Sequence, residues 1–202
     1  MLDQRLRQVK DLVLLPLSRL LLAVPPTAIS VVGLGFGLLA ALLLAQQQYG
    51  WALALWLLNR LCDGLDGAVA RLGYRQSDLG GYLDILFDFV VYAAIPVALV
   101  VGAPSEASWL ALAVLLASFY VNAASWMFLA ALLEKRGHSA RHRAKPTAVT
   151  MPAGLIGGTE TILFYTLFML WPAQMAALFW LMSLLVAITV VQRVVWAVRR
   201  LD

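Results

Sequence analysis

Four aspartates in an otherwise apolar stretch carry the clearest chemical signal in this chain. Asp63, Asp66, Asp84 and Asp88 fall within D-G-L-D-G-A-V-A-R-L-G-Y-R-Q-S-D-L-G-G-Y-L-D-I-L-F-D. Asp63 and Asp66 are spaced i,i+3 and Asp84 and Asp88 i,i+4, so each pair shares one face of a helix. Between the pairs lies a polar break, Gly73-Tyr74-Arg75-Gln76-Ser77, suited to turning two antiparallel helices. Counted from Arg75, Asp66 and Asp84 are both nine residues away, and Asp63 and Asp88 twelve and thirteen. A helical hairpin therefore sets the four carboxylates at matching heights. Four such charges in a low-dielectric site cannot all ionise without a bound cation. Hard oxygen donors suit Mg²⁺ or Mn²⁺, and four carboxylates can hold two such ions.

The elements that position these residues belong to a membrane protein. The 202 residues are 62% hydrophobic and 13% charged, with a mean hydropathy of +0.85, more apolar than a soluble domain of this length needs. The single cysteine, Cys62, excludes a disulfide framework or a zinc-finger pattern, and beside Asp63 it reads as a small buried hydrophobe. The N-terminal residues show no signal-peptide pattern. Residues 1–24 place Leu2, Leu6, Val9, Val13, Leu17 and Leu20 on one face, away from Arg5, Arg7, Lys10 and Arg19. This segment is expected to be an interfacial amphipathic helix on an anionic leaflet, the plainer alternative being a solvated N-terminal helix. Pro25-Pro26 ends it, and Thr27 or Ser30 is placed to cap the next helix.

The rest, residues 25–202, reads as one all-α transmembrane domain of six helices. The spans are expected at 28–48, 51–71, 78–101, 107–133, 149–170 and 174–197. The N-terminus, the 60–75 turn, the 135–145 loop and the C-terminus hold all 15 Lys and Arg. By the positive-inside rule both termini and the motif turn are cytoplasmic, and Trp51, Trp109 and Trp171 form the opposite aromatic belt. Asp66 is five residues from Arg71, so the carboxylates sit just inside the cytoplasmic leaflet. A soluble molecule reaches that depth from below and a lipid headgroup from the side. Gly64, Gly67, Gly80 and Gly81 on the same hairpin let helices or phosphate oxygens approach the backbone.

The spaced residues Asp63-x2-Asp66-Gly67-x2-Ala70-Arg71-x8-Gly80-x3-Asp84-x3-Asp88 resemble the signature of the CDP-alcohol phosphotransferase family at all eight fixed positions. The resemblance implies transfer of a substituted phosphate from a CDP-linked donor to an alcohol, with release of CMP. It implies Asp63, Asp66 and Asp84 as metal ligands, with Asp88 completing the site and taking the proton of the acceptor hydroxyl. Asp63, Gly67, Ala70, Arg71 and Gly80 would line the CDP pocket, with Arg71 on the diphosphate. CDP-diacylglycerol is the donor best suited to headgroup depth; a soluble CDP-alcohol with a diacylglycerol acceptor is the alternative. The Ile85-Leu86-Phe87 surroundings differ from the Pro- and Lys-bearing pattern of typical phosphatidylglycerophosphate synthases, which leaves the acceptor open. Members of that family are often homodimers, and the expectation extends to this chain. The expected location is a bacterial inner membrane, with membrane lipids and no nucleic acid as partners.

Outside the motif, the basic stretch around Arg136 and Arg141 is a candidate for the phosphate of an acceptor, or else a topology signal alone. His138 and His142, at i,i+4, are more ordinary as solvated residues than as ligands. Glu160, ionisable within a span, borders the acceptor pocket or pairs with a neighbouring helix. Asp78 reads as a helix N-terminal charge, and Asn59 and Arg60 either touch the nucleotide or serve helix packing. Asn122 and Ser125 suit interhelical hydrogen bonds or a polar cleft. A divalent-cation transporter and a catalytically inactive scaffold are the competing functions. The clustering of carboxylates near one leaflet argues against the first, and the complete motif against the second.

Overall fold

The computed structural model describes residues 14–141 and 154–201, with side chains omitted for 137–141. Among the described residues the chain is all helical, with no strand. Residues 14–20 are helical, and α1 (Pro26–Ala45), α2 (Tyr49–Leu72), α3 (Asp78–Gly102) and α4 (Glu106–Arg141) come next. After them come α5 (Gly158–Leu170), a 3₁₀ turn (Pro172–Gln174) and α6 (Met175–Leu201). Among the described residues, four helical stretches are long and apolar enough to cross a membrane: Pro26–Ala45, Asp78–Gly102, Glu106–Arg136 and Pro172–Leu201. The 24-residue α2 has the length but carries the charged motif, and α5 is short at 13 residues. The expected fifth span begins at residue 149, but the helix starts at Gly158, and residues 149–153 lie outside the described residues. Helix α4 runs to Arg141, so the first half of the expected 135–145 loop is helix.

The chain divides into two compact units. The first comprises Met1–Ser105 with Tyr165–Met175, the second Glu106–Phe164 with Ala176–Asp202. Of the expected N-terminal helix, residues 1–13 lie outside the described residues. Leu14, Leu21 and Val24 pack against Ile29, Leu65 and Val69 of the first unit, leaving Leu17 and Leu20 on the outside.

The hairpin that carries the motif is explained by its local chemistry. Helix α2 ends where the Gly73 and Arg75 amides bond back to the carbonyls of Val69 and Ala70, at 2.9 Å each. Tyr74 takes a positive φ of 51° in the turn. Helix α3 starts on Ser77, whose hydroxyl accepts from the Gly80 amide at 3.0 Å, with Asp78 in the first turn favouring the dipole. Helix α1 packs against both arms of the hairpin through two glycines four residues apart. A Cβ at Gly33 would stand 2.9 Å from Cβ of Cys62 on α2, and one at Gly37 2.5 Å from Cγ2 of Val91 on α3. Trp56, Val91, Ile95, Leu99, Tyr165 and Phe168 are fully buried in this unit. Leu57, Leu58 and Leu61 of α2 and Leu86, Phe89 and Val90 of α3 face outward. An apolar exterior of this extent is what lipid contact requires.

In the second unit, Phe179, Met182 and Val186 of α6 are buried. Thr189 accepts from the Ile156 amide at 2.9 Å, and Gly154 lies so close to Thr189 that a Cβ would overlap its methyl group. Arg193 is buried and donates to the carbonyl and side-chain oxygens of Asn122.

Candidate active site

Helices α2 and α3 bring Asp63, Asp66, Asp84 and Asp88 to one small cavity of about 20 Å³, which Ser30, Gly33 and Leu34 of α1 also line. The i,i+3 and i,i+4 spacings thus place all four carboxylates where the hairpin arms meet. Each is held differently. Asp66 is buried and its Oδ2 accepts from the Ser30 hydroxyl at 2.5 Å. Asp84 lies within hydrogen-bonding reach of Asp63. Asp88 forms an ion pair with Arg60, whose Nη2 donates to Oδ1 at 2.7 Å.

Arg60 is buried, and its Nε donates to Oδ1 of Asn59 and its Nη1 to the hydroxyl of Tyr92, both at 2.9 Å. Its guanidinium lies 4.7 Å from the ring centroid of Trp56 and 5.2 Å from that of Tyr92, within cation–π range. Asn59 is fixed in turn by donating to the Gly33 carbonyl of α1 at 2.8 Å. An aromatic wall continues behind this pair: Tyr165 stacks on Trp56 at 5.4 Å between centroids and meets Tyr92 edge-on at 5.2 Å.

The remaining motif residues sit nearer the turn. Gly67 lies under Arg71: a Cβ there would come within 3.2 Å of its Nη1. Gly80 occupies the N-terminal turn of α3 against the Ser77 hydroxyl, and Gly81 faces open space. Ala70 is half-buried one residue before Arg71.

The candidates for the acceptor side are placed otherwise. The Glu160 carboxylate accepts from the Gly157 amide at 2.9 Å, closing the first turn of α5. Arg136 donates to the carbonyls of Arg200 and Leu201 at the end of α6. The backbone of Arg141 is the last residue of α4, and its side chain lies outside the described set, as does His142. Ser30 and Arg60 are the site residues that sequence reasoning underrates. Ser30 reads there only as a helix cap, and Arg60 as a residue that either touches the nucleotide or serves helix packing, with no hint of its pairing with Asp88. The one available signal is their position, a polar side chain in an apolar run near the motif.

No three His, Cys, Asp or Glu side chains among the described residues stand in a ready-made coordination cluster. The donor set nonetheless fits a hard divalent cation by its chemistry. Four carboxylates lining one small cavity repel one another unless a cation stands among them, and their hard oxygens are of the kind a divalent cation prefers. A wider, open groove at Gln47–Ala54 carries no carboxylate.

A lipid-exposed helical protein with acidic residues gathered on a hairpin beside small residues and an arginine is an integral membrane protein built for polar chemistry at its core. The chain belongs to the CDP-alcohol phosphatidyltransferase family, whose pattern it matches over residues 20–192, a stretch that includes the whole motif. The family is a transferase family of lipid biosynthesis, generally dependent on divalent metal. The chain is also 39% identical over 153 residues to the inner membrane protein YnjF of Escherichia coli (strain K12), a match covering 76% of this chain and 73% of that protein.

Proposed function

We propose that this protein transfers a phosphatidyl group from CDP-diacylglycerol to an alcohol acceptor and releases CMP. The observation that carries the reading is the convergence of four carboxylates from α2 and α3 on one cavity, one of them paired with a buried arginine. Asp63, Asp66 and Asp84 would hold Mg²⁺ or Mn²⁺, with Asp88 completing the set. Two such ions, held by these carboxylates, would supply charge neutralisation for the diphosphate and the leaving CMP oxygen. Asp88 takes the proton of the acceptor hydroxyl as the new O–P bond forms and the P–O bond to CMP breaks. Arg71, above Gly67, offers a guanidinium fork to the phosphate oxygens, and Asp63, Ala70 and Gly80 complete the nucleotide side. Arg136, Arg141 and Glu160 stay with the acceptor side of the proposal.

In this reading the chain crosses the membrane six times. The outward leucines of α2 support a crossing there, and the exposed Trp51, Trp109 and Trp171 support a belt at the far interface. Both termini and the acidic cavity then belong to the cytoplasmic side of an inner membrane, and a homodimer is part of the proposal.

The test is CMP release by purified protein in detergent with Mg²⁺ and CDP-diacylglycerol. Glycerol 3-phosphate, inositol, inositol phosphate, serine and phosphatidylglycerol are offered separately, and the lipid product is identified by mass. Acceptor-dependent CMP is the expected result. Silence with every acceptor, then activity with a soluble CDP-alcohol and diacylglycerol, would reverse the assignment of donor. Silence in both, with divalent flux into proteoliposomes, would replace the reading with transport.

A further inference from the structure

Arg60 stands three residues before Asp63 and is locked from several sides. Asn59 and Tyr92 take its Nε and Nη1, Asp88 takes its Nη2, and two aromatic rings cover its planar group. Its anchors are themselves anchored: the Trp56 indole donates to Thr166 at 3.2 Å, and Asn59 is tied to the Gly33 carbonyl at 2.8 Å. A guanidinium this constrained has one orientation, and with it Oδ1 of Asp88 has one place.

Packing alone does not account for this arrangement. Burying the Arg60 guanidinium beside a half-buried Asp88 costs desolvation, and an apolar side chain of similar size fills such a space at less cost. The pairing is also selective among the carboxylates of the cavity. Asp66 is held by a neutral hydroxyl and Asp84 lies against another carboxyl, whereas Asp88 is matched with a full, fixed positive charge.

We propose that Arg60 is a positioning residue for the transfer reaction, pinning Oδ1 of Asp88 and thereby fixing the plane of that carboxylate and the direction of its second oxygen. The inference rests on the phosphatidyl-transfer reading. It sets Asp88 apart from Asp63, Asp66 and Asp84: whatever it adds to the cation's donor set, it is paired with a fixed positive charge of the protein and kept in one orientation. Removing Arg60 lowers turnover through Asp88 and leaves donor binding intact.

The experiment uses the full-length protein in detergent, reading kcat for acceptor-dependent CMP release and the dissociation constant for CDP-diacylglycerol. A wild-type protein that releases no CMP with any donor sinks the transfer reading itself, and the positioning role with it. Given an active wild type, Arg60→Gln is expected to lower kcat about 100-fold with donor affinity within about two-fold, the loss typical of a misplaced proton acceptor. Arg60→Lys keeps the charge without the fork and is expected to recover about ten-fold of that loss. In an Asp88→Asn background, Arg60→Gln is expected to cost nothing further, because residues acting as a unit are non-additive. Should Arg60→Gln fail to fold, Tyr92→Phe keeps the ring and removes the hydroxyl that meets both Arg60 and Asp88, and is expected to lower kcat about five-fold, again without loss of donor affinity. Donor affinity falling in step with kcat would overturn the positioning role and make Arg60 a substrate ligand. Full additivity with Asp88→Asn, or unchanged kcat, would overturn the proposal outright.

Discussion

The Ser30 hydroxyl donates to Oδ2 of Asp66 at 2.5 Å, joining α1 to the acidic hairpin across 36 residues of chain. The same hydroxyl also lies 3.2 Å from the Pro26 carbonyl. One proton serves one acceptor, and the shorter, charge-assisted contact is the stronger. Ser30→Ala frees Asp66 to rotate within the cavity. If Asp66 holds a divalent ion, the Mg²⁺ concentration for half-maximal CMP release rises about 10- to 100-fold, the usual effect of removing an outer partner from a ligand. A titration that does not move takes Asp66 out of the ligand set.

Asp88→Asn keeps the shape of the side chain and removes its capacity to accept a proton. Acceptor-dependent CMP release is expected to fall by about 10²- to 10⁴-fold, with CDP-diacylglycerol binding largely intact. Full activity in this variant would remove Asp88 from the role of base.

The hairpin is legible in the sequence because its information is local: two carboxylate pairs at helical spacing, a polar break, and Ser77 placed to start α3. The partners of those carboxylates are not legible there. Arg60 counts as one more basic residue near a turn, yet it is buried on Asp88, and Arg193, also counted toward a basic end, is buried on Asn122. Hydropathy separates residues that leave water from those that stay; it does not tell which helix faces which. The length of the fifth helix escapes hydropathy for a related reason. The stretch from residue 149 is apolar enough for a span, but Gly154, Gly157 and Gly158 favour irregular backbone, and α5 begins only at Gly158. The extension of α4 to Arg141 reflects strong helix formers such as Glu134, Lys135 and Arg136, which a search for apolar runs discounts.

Gly37 and Gly35 share a helix and differ in their surroundings. A Cβ at Gly37 would lie 2.5 and 3.0 Å from the two methyl carbons of the buried Val91, whereas nothing stands within 4 Å of one at Gly35. Gly37→Ala is expected to destabilise the protein by about 1–3 kcal/mol as α1 is pushed off α3. Gly35→Ala is expected to be neutral or to stabilise by up to about 1 kcal/mol. Thermal unfolding of both variants in detergent separates them, and equal midpoints would mean that α1 and α3 do not meet at Gly37.

Pro96 lies inside α3 and has no amide hydrogen, so the carbonyl of Tyr92, four residues earlier, lacks its helical donor. The Tyr165 hydroxyl donates to that carbonyl instead. The bond satisfies a buried acceptor on the residue that also carries a hydroxyl to Arg60, so it steadies the wall behind Asp88. Tyr165→Phe is expected to cost about 1–3 kcal/mol, the penalty for a buried acceptor left without a partner. Pro96→Ala restores an amide to the helix and gives the carbonyl its regular donor. On that background Tyr165→Phe should therefore cost less than about half as much, a coupling that a double-mutant cycle measures directly. An equal cost on both backgrounds would mean that Tyr165 stabilises the unit through its ring contacts with Trp56 and Phe168, and that the carbonyl of Tyr92 is served without it.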